Sequence, residues 1–195
     1  YGISDWAPVY LQEMNIMDAS QSNLAFSLHN YAGVPGTLIC GWISARFFKG
    51  RCAPANVLYM VLVLLGILLY WKAAAVAQLL AGGFGGDPTA ICRTIVYVAL
   101  CVIGFCIYGP VALVSIQALN LVPKNAAGTA AGFVGLFGYL FGDALLAKIV
   151  IGSVAESSAG GWNATFWIFV IGSLLATLFC ATTWRREKMS VDSTR

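Results

Sequence analysis

The chain has 195 residues, of which 59% are hydrophobic and 10% charged, whereas a soluble domain carries about a quarter charged residues. So few polar groups cannot cover a surface in water, and a mean hydropathy of +0.81 excludes a water-soluble globular fold and makes lipid the main solvent. The formal net charge of +3 needs no nucleic-acid partner, because the basic residues fall where membrane topology places them.

Residues 1–11 are apolar but cover only about half of the roughly 20 residues that cross a bilayer. They also begin without methionine, so they are expected to be the remainder of a truncated first helix. Five further spans are expected at 24–45, 57–81, 94–122, 126–152 and 164–184. In each, apolar residues surround the whole segment instead of lining one stripe. The expected architecture is an all-α membrane protein of six helices, with a transmembrane bundle over 1–184 and a tail over 185–195. Connectors at 12–23, 46–56, 82–93, 123–125 and 153–163 are too short to hold a soluble domain. The Gly82-Gly-Phe-Gly-Gly-Asp87 run lacks both the Gly-Lys-Ser/Thr continuation and the preceding strand of a phosphate-cradling loop, so it reads as a plain connector.

Charge sorting sets the orientation, because lysine and arginine in short loops are retained on the cytoplasmic side. Arg46, Lys49 and Arg51 share one side with Lys124, Arg185, Arg186, Lys188 and Arg195, while the opposite connectors carry Glu13, Asp18, Asp87 and Glu156. The C-terminus is therefore expected in the cytoplasm.

Charges inside spans cost a few kcal/mol each at the bilayer centre, which makes Asp5, Asp143 and Lys148 functional candidates. Asp143 and Lys148 are five residues apart, about 140° around an α-helix, and so are not expected to stack. Lys148 is expected to snorkel to the interface; Asp143 either caps a backbone break or faces a water-filled cavity. His29 and Asn30 form a polar pair early in their helix, and packing is the favoured reading for His29.

Gly128, Gly132, Gly135, Gly138 and Gly142 recur at three- and four-residue intervals, a pattern that brings helix backbones together or leaves room beside a cavity. Tyr139 sits among them, and Tyr108 precedes a Gly109-Pro110 break that frees a backbone carbonyl. The six cysteines lie within apolar runs or at their ends and read as packing residues. No hydrolase or nucleotide-binding motif is present, and one histidine cannot make a multi-histidine metal site. No catalytic residue, cofactor or metal is assigned.

Four stretches carry a family resemblance: Tyr1-Gly-Ile-Ser-Asp-Trp-Ala-Pro8, Tyr31-Ala-Gly-Val-Pro-Gly-Thr-Leu-Ile-Cys-Gly-Trp42, Tyr108-Gly-Pro110 and Val122-Pro-Lys-Asn-Ala-Ala-Gly-Thr-Ala-Ala-Gly-Phe133. In this order they resemble the organophosphate:phosphate antiporters of the major facilitator superfamily, particularly glycerol-3-phosphate and phosphoglycerate transporters. The resemblance implies helices seven to twelve of a twelve-helix fold in the bacterial inner membrane. Its site would lie between two six-helix halves near the midplane, and the N-terminal half would be supplied from outside this chain. It implies an organic phosphate and inorganic phosphate as exchanged cargo, Tyr1, Tyr108 and Tyr139 as pocket tyrosines, and Asp5 and Asn30 in a charge network. Asn30 stands where relatives often carry a glutamate, Ala45 replaces the usual aspartate of the cytoplasmic loop motif, and Gly132 and Gly135 replace the aspartate and lysine of hexose-phosphate carriers. Two alternatives accompany exchange: a transporter-like sensor of external phosphate ester, and an inactive fragment of a split transporter.

Overall fold

The computed structural model describes residues 2–84, 86–120, 122–155 and 161–192, the side chains of 84, 120, 124 and 185–192 apart. The described elements are α1 (Gly2–Glu13), α2 (Ala19–Phe47), α3 (Cys52–Trp71), α4 (Ala73–Phe84), α5 (Pro88–Asn120), α6 (Ala127–Phe137), α7 (Ile151–Ala155) and α8 (Gly161–Asp192). A 3-10 turn, Lys124–Ala126, leads into α6, and a π-helical segment, Gly138–Val150, joins α6 to α7. Cys52–Trp71, Pro88–Leu119, Ala127–Ala155 and Gly161–Trp184 are long and apolar enough to cross a membrane. The α2 helix has the length, 29 residues, but polar residues such as Gln21, Asn23, His29 and Asn30 keep it from being among them.

Two expected boundaries need correction. The span expected over 57–81 ends at Trp71, and a new helix starts at Ala73. Lys72 is the break, its backbone N–H capping α3 on the Leu68 carbonyl. The connector expected over 82–93 is largely helical, since α4 reaches Phe84 and α5 starts at Pro88. Pro88 suits the first helical position because its missing N–H would have no intrahelical partner. Asp87 caps that start, its carboxylate accepting the Thr89 backbone N–H (3.0 Å) and hydroxyl (2.6 Å).

The bundle centres on α5, which packs against α2, α3 and α4, while α3 also packs on α8. Lipid is as apolar as leucine, so close packing and not burial from water holds such helices together. Glycines make the α2 and α5 seam. A Cβ at Gly36 would strike the Phe105 carbonyl, and one at Gly104 the His29 carbonyl. The glycine row of α6 and the π segment behaves differently: a Cβ at Gly128, Gly132, Gly135, Gly138 or Gly142 would meet nothing within 4 Å. Within this chain no described helix packs closely on that row. The cysteines act as packing groups, with Cys40, Cys52, Cys92 and Cys106 buried.

Turns follow their chemistry. After α1, Asn15 adopts a positive φ of 52° and the Ile16 and Met17 N–H groups return to the Leu11 carbonyl. The Arg93 guanidinium donates to Ile16 O at 3.1 Å, tying this turn to α5. After α2, Lys49 and Gly50 both have positive φ, and the Phe48 and Gly50 N–H groups converge on Ser44 O.

Candidate functional site

Polar side chains of the expected site gather where α1, α2, α5 and the π segment approach. The Tyr108 hydroxyl donates to Asn30 Oδ1 at 2.7 Å, and Asn30 Nδ2 donates back to Phe26 O of its own helix at 2.9 Å. This geometry depends on Gly33, one turn along α2, where any side chain would collide with the Tyr108 ring. Asp5 and Tyr139 both lie within electrostatic range of Tyr108. Asp5, Asn30, Tyr108 and Tyr139 are thus brought to one region, and Tyr1 lies outside the described residues.

His29 sits beside this group, its ring 6.2 Å from that of Tyr108. It is 2% exposed. Its Nδ1 lies 3.0 Å from Leu100 O and its Nε2 2.9 Å from Ser4 Oγ. A carbonyl can only accept, so Nδ1 carries the proton and Nε2 accepts from the Ser4 hydroxyl. Both ring nitrogens are satisfied, which agrees with the packing role expected of this residue.

The π segment corrects the expectation for Asp143 and Lys148. Their side chains form an ion pair of 3.2 Å, because i→i+5 backbone bonding brings residues five apart onto one face, which the α geometry would not. Asp143 takes Lys148 as its partner, the contact that the α spacing did not give. Lys148 pairs with it while keeping its side chain largely exposed, so the expected snorkelling is not its sole contact. The α1 helix, which carries Asp5, packs against this same segment. Trp6, next to Asp5, fastens α1 to the same segment through a 2.6 Å bond from its indole N–H to Ala147 O. Sequence reasoning passed over Ser4 and Trp6; the polar residues flanking Asp5 were the available signal.

A cavity of about 620 Å³ opens beside this cluster, lined mainly by apolar side chains of α3, α8 and the π segment, with Ser4, His29 and Ser173 as its polar points. The arrangement as a whole offers hydroxyl and amide donors, two carboxyls and one ammonium. It can orient a polar anion by hydrogen bonding, while its net charge requires additional cations to hold one tightly.

No family model matches the chain. It is 44% identical over 188 residues to the glycerol-3-phosphate transporter of Bacillus subtilis (strain 168), covering 96% of this chain and 38% of that protein. The phosphoglycerate transporter protein of Salmonella typhimurium is 29% identical over 92% of the chain and 35% of its own length. The membrane sensor protein UhpC of Escherichia coli is 31% identical over 71% of the chain and 28% of its own length. The chain therefore spans less than two-fifths of the length of these relatives and matches their C-terminal part. With four apolar helices of spanning length and likeness to transporters along nearly all its residues, the chain is an integral membrane protein and belongs to the organophosphate:phosphate antiporter family of the major facilitator superfamily.

Proposed function

We propose that the complete protein containing this chain exchanges a small organic phosphate, glycerol 3-phosphate or a phosphoglycerate, for inorganic phosphate across the bacterial inner membrane by alternating access. The observation that carries this reading is the 44% identity to a glycerol-3-phosphate transporter along 96% of the chain. The second amide N–H of Asn30, the phenol of Tyr139 and the hydroxyl of Tyr108, once it turns from Asn30 to the cargo, supply neutral donors for phosphate oxygens, and Tyr1 extends the set. Asp5 belongs to the charge network that the other half of the transporter completes. Residues 1–184 form the membrane bundle and 185–195 a cytoplasmic tail, so Lys49 also faces the cytoplasm. The positively charged connectors at 46–51 and beyond 184 support that orientation.

Counterflow in vesicles tests the proposal. The complete protein should drive labelled phosphate into vesicles preloaded with glycerol 3-phosphate, and the 195-residue chain alone should give no saturable uptake. Binding without exchange would identify a sensor instead. Tyr108→Phe and Tyr139→Phe should weaken apparent phosphate affinity by roughly ten- to a hundredfold, the consequence of losing a hydrogen bond to a charged group. Wild-type affinity in both variants would remove the tyrosines from the site.

A further inference from the structure

At the end of the bundle where α1 finishes, α3 hands over to α4 and α8 begins, Tyr10, Met14, Trp71, Lys72, Trp162 and Asn163 are among the residues enclosing a second cavity of about 550 Å³. Its depth follows from α3, whose 20 residues rise about 30 Å, the thickness of the hydrocarbon core. Trp71 and Lys72 therefore sit at the edge of the bilayer, where tryptophan and lysine mark the boundary.

The walls are held by ring contacts and by bonds that occupy the indole donors. Trp71 stacks on Phe166 with centroids 5.8 Å apart and planes at 8°, and Trp162 meets Tyr10 edge-on at 5.1 Å. The Trp71 N–H donates to Asn163 Oδ1 at 3.2 Å, and the Trp162 N–H to Glu13 Oε2 at 2.9 Å. With its oxygen engaged, Asn163 presents its amide N–H groups. The Lys72 ammonium rests 4.5 Å from the centroid of the Trp71 ring, and among the described residues the one ion pair is that of Asp143 and Lys148. Lys72 is thus a cation at the bilayer edge, on an aromatic wall, without a carboxylate partner among those residues.

We propose that this cavity binds the phosphate of an anionic glycerophospholipid, with Lys72 pairing the phosphodiester, Asn163 donating to the headgroup, and Met14 and the aromatic rings lying along the glycerol and upper acyl carbons. The charge count selects the ligand: Lys72 offers one positive charge and Glu13, bonded to Trp162, stands nearby with a negative one. A monoanionic phosphodiester is therefore accepted over a dianionic phosphate monoester. The site rests on membrane embedding and on local geometry, independent of what the protein transports.

The test uses the complete transporter, purified from nanodiscs containing phosphatidylglycerol and phosphatidylcholine, with bound lipids counted by native mass spectrometry. Phosphatidylglycerol should be retained over phosphatidylcholine. Lys72→Met should reduce that retention about fivefold, the worth of one basic residue at an anionic surface, while Lys72→Arg should keep it and Glu13→Gln should raise it. Millimolar glycerol 3-phosphate should not displace the lipid. Equal retention in wild type and Lys72→Met would overturn the proposal. Displacement by glycerol 3-phosphate would overturn the lipid assignment and make the cavity a site for the free ester.

Discussion

Asp143 and Lys148 pair at 3.2 Å across five residues of a single helical segment, a contact that exists because Gly138–Val150 is wound as a π-helix. In α geometry the same side chains would point about 140° apart and each charge would need another partner at membrane depth. Neutralising one member alone, by Asp143→Asn or Lys148→Met, should lower the amount of monodisperse protein recovered from membranes. The double variant should recover much of that loss, because no lone charge remains. Cysteines placed at 143 and 148 in a background without the native cysteines should be bridged by a short crosslinker. Failure of that crosslink, with additive losses in the double variant, would show that the segment is α-helical in the membrane.

Tyr108 and Asn30 form the hydrogen bond that joins α5 to α2 at the candidate site. A neutral bond of this kind contributes about 1 kcal/mol net to stability. A double-mutant cycle of Tyr108→Phe and Asn30→Ala, followed by thermal unfolding in detergent, should therefore give a coupling of about that size. A coupling near zero would mean that the two side chains serve the site separately.

The helical class and four of the spans were legible because long apolar runs have no other stable form in lipid. Tyr108 and Asn30 were each legible as polar groups at membrane depth, but their meeting was not. It depends on the register of α2 against α5, which glycines on different helices set together. The break at Lys72 was hidden for another reason: apolar residues on both sides merge into one run, and one lysine hardly changes the average. The Asp143 and Lys148 pair was misread because the α period was assumed where the backbone uses i→i+5 bonding.

Asp87 provides a pH-dependent signal outside the spans. The Thr89 hydroxyl and N–H hold its carboxyl below the usual carboxylate range. A group lowered on folding stabilises the native state above its unfolded pKa, and that contribution is lost as pH falls through the folded value. The first-turn amides of α5 should accordingly lose protection from hydrogen exchange under acid conditions below about pH 4. Asp87→Ala should show the weaker protection at every pH, whereas unchanged exchange in that variant would show that the cap contributes nothing measurable.

The two sets of glycines should respond oppositely to an added methyl group. At Gly36 and Gly104 the new Cβ would run into backbone carbonyls, of Phe105 and His29 respectively, and backbone cannot move aside as a flexible side chain can. Overpacking of this kind costs about 1–3 kcal/mol, so Gly36→Ala and Gly104→Ala should both lower the unfolding temperature and the membrane abundance. Gly132 is different, since its Cβ would meet nothing within 4 Å in this chain. There the higher helix propensity of alanine, up to about 1 kcal/mol, should leave the chain as stable as before or slightly more so. The same substitution in the complete protein then reads what the row faces. Loss of stability or exchange only in the complete protein would mean that the other half packs against Gly132, and no loss in either would mean that the row borders lipid or an open pathway. If Gly36→Ala and Gly104→Ala unfold at the wild-type temperature, α2 and α5 do not cross as closely as described and the placement of Tyr108 against Gly33 falls with them.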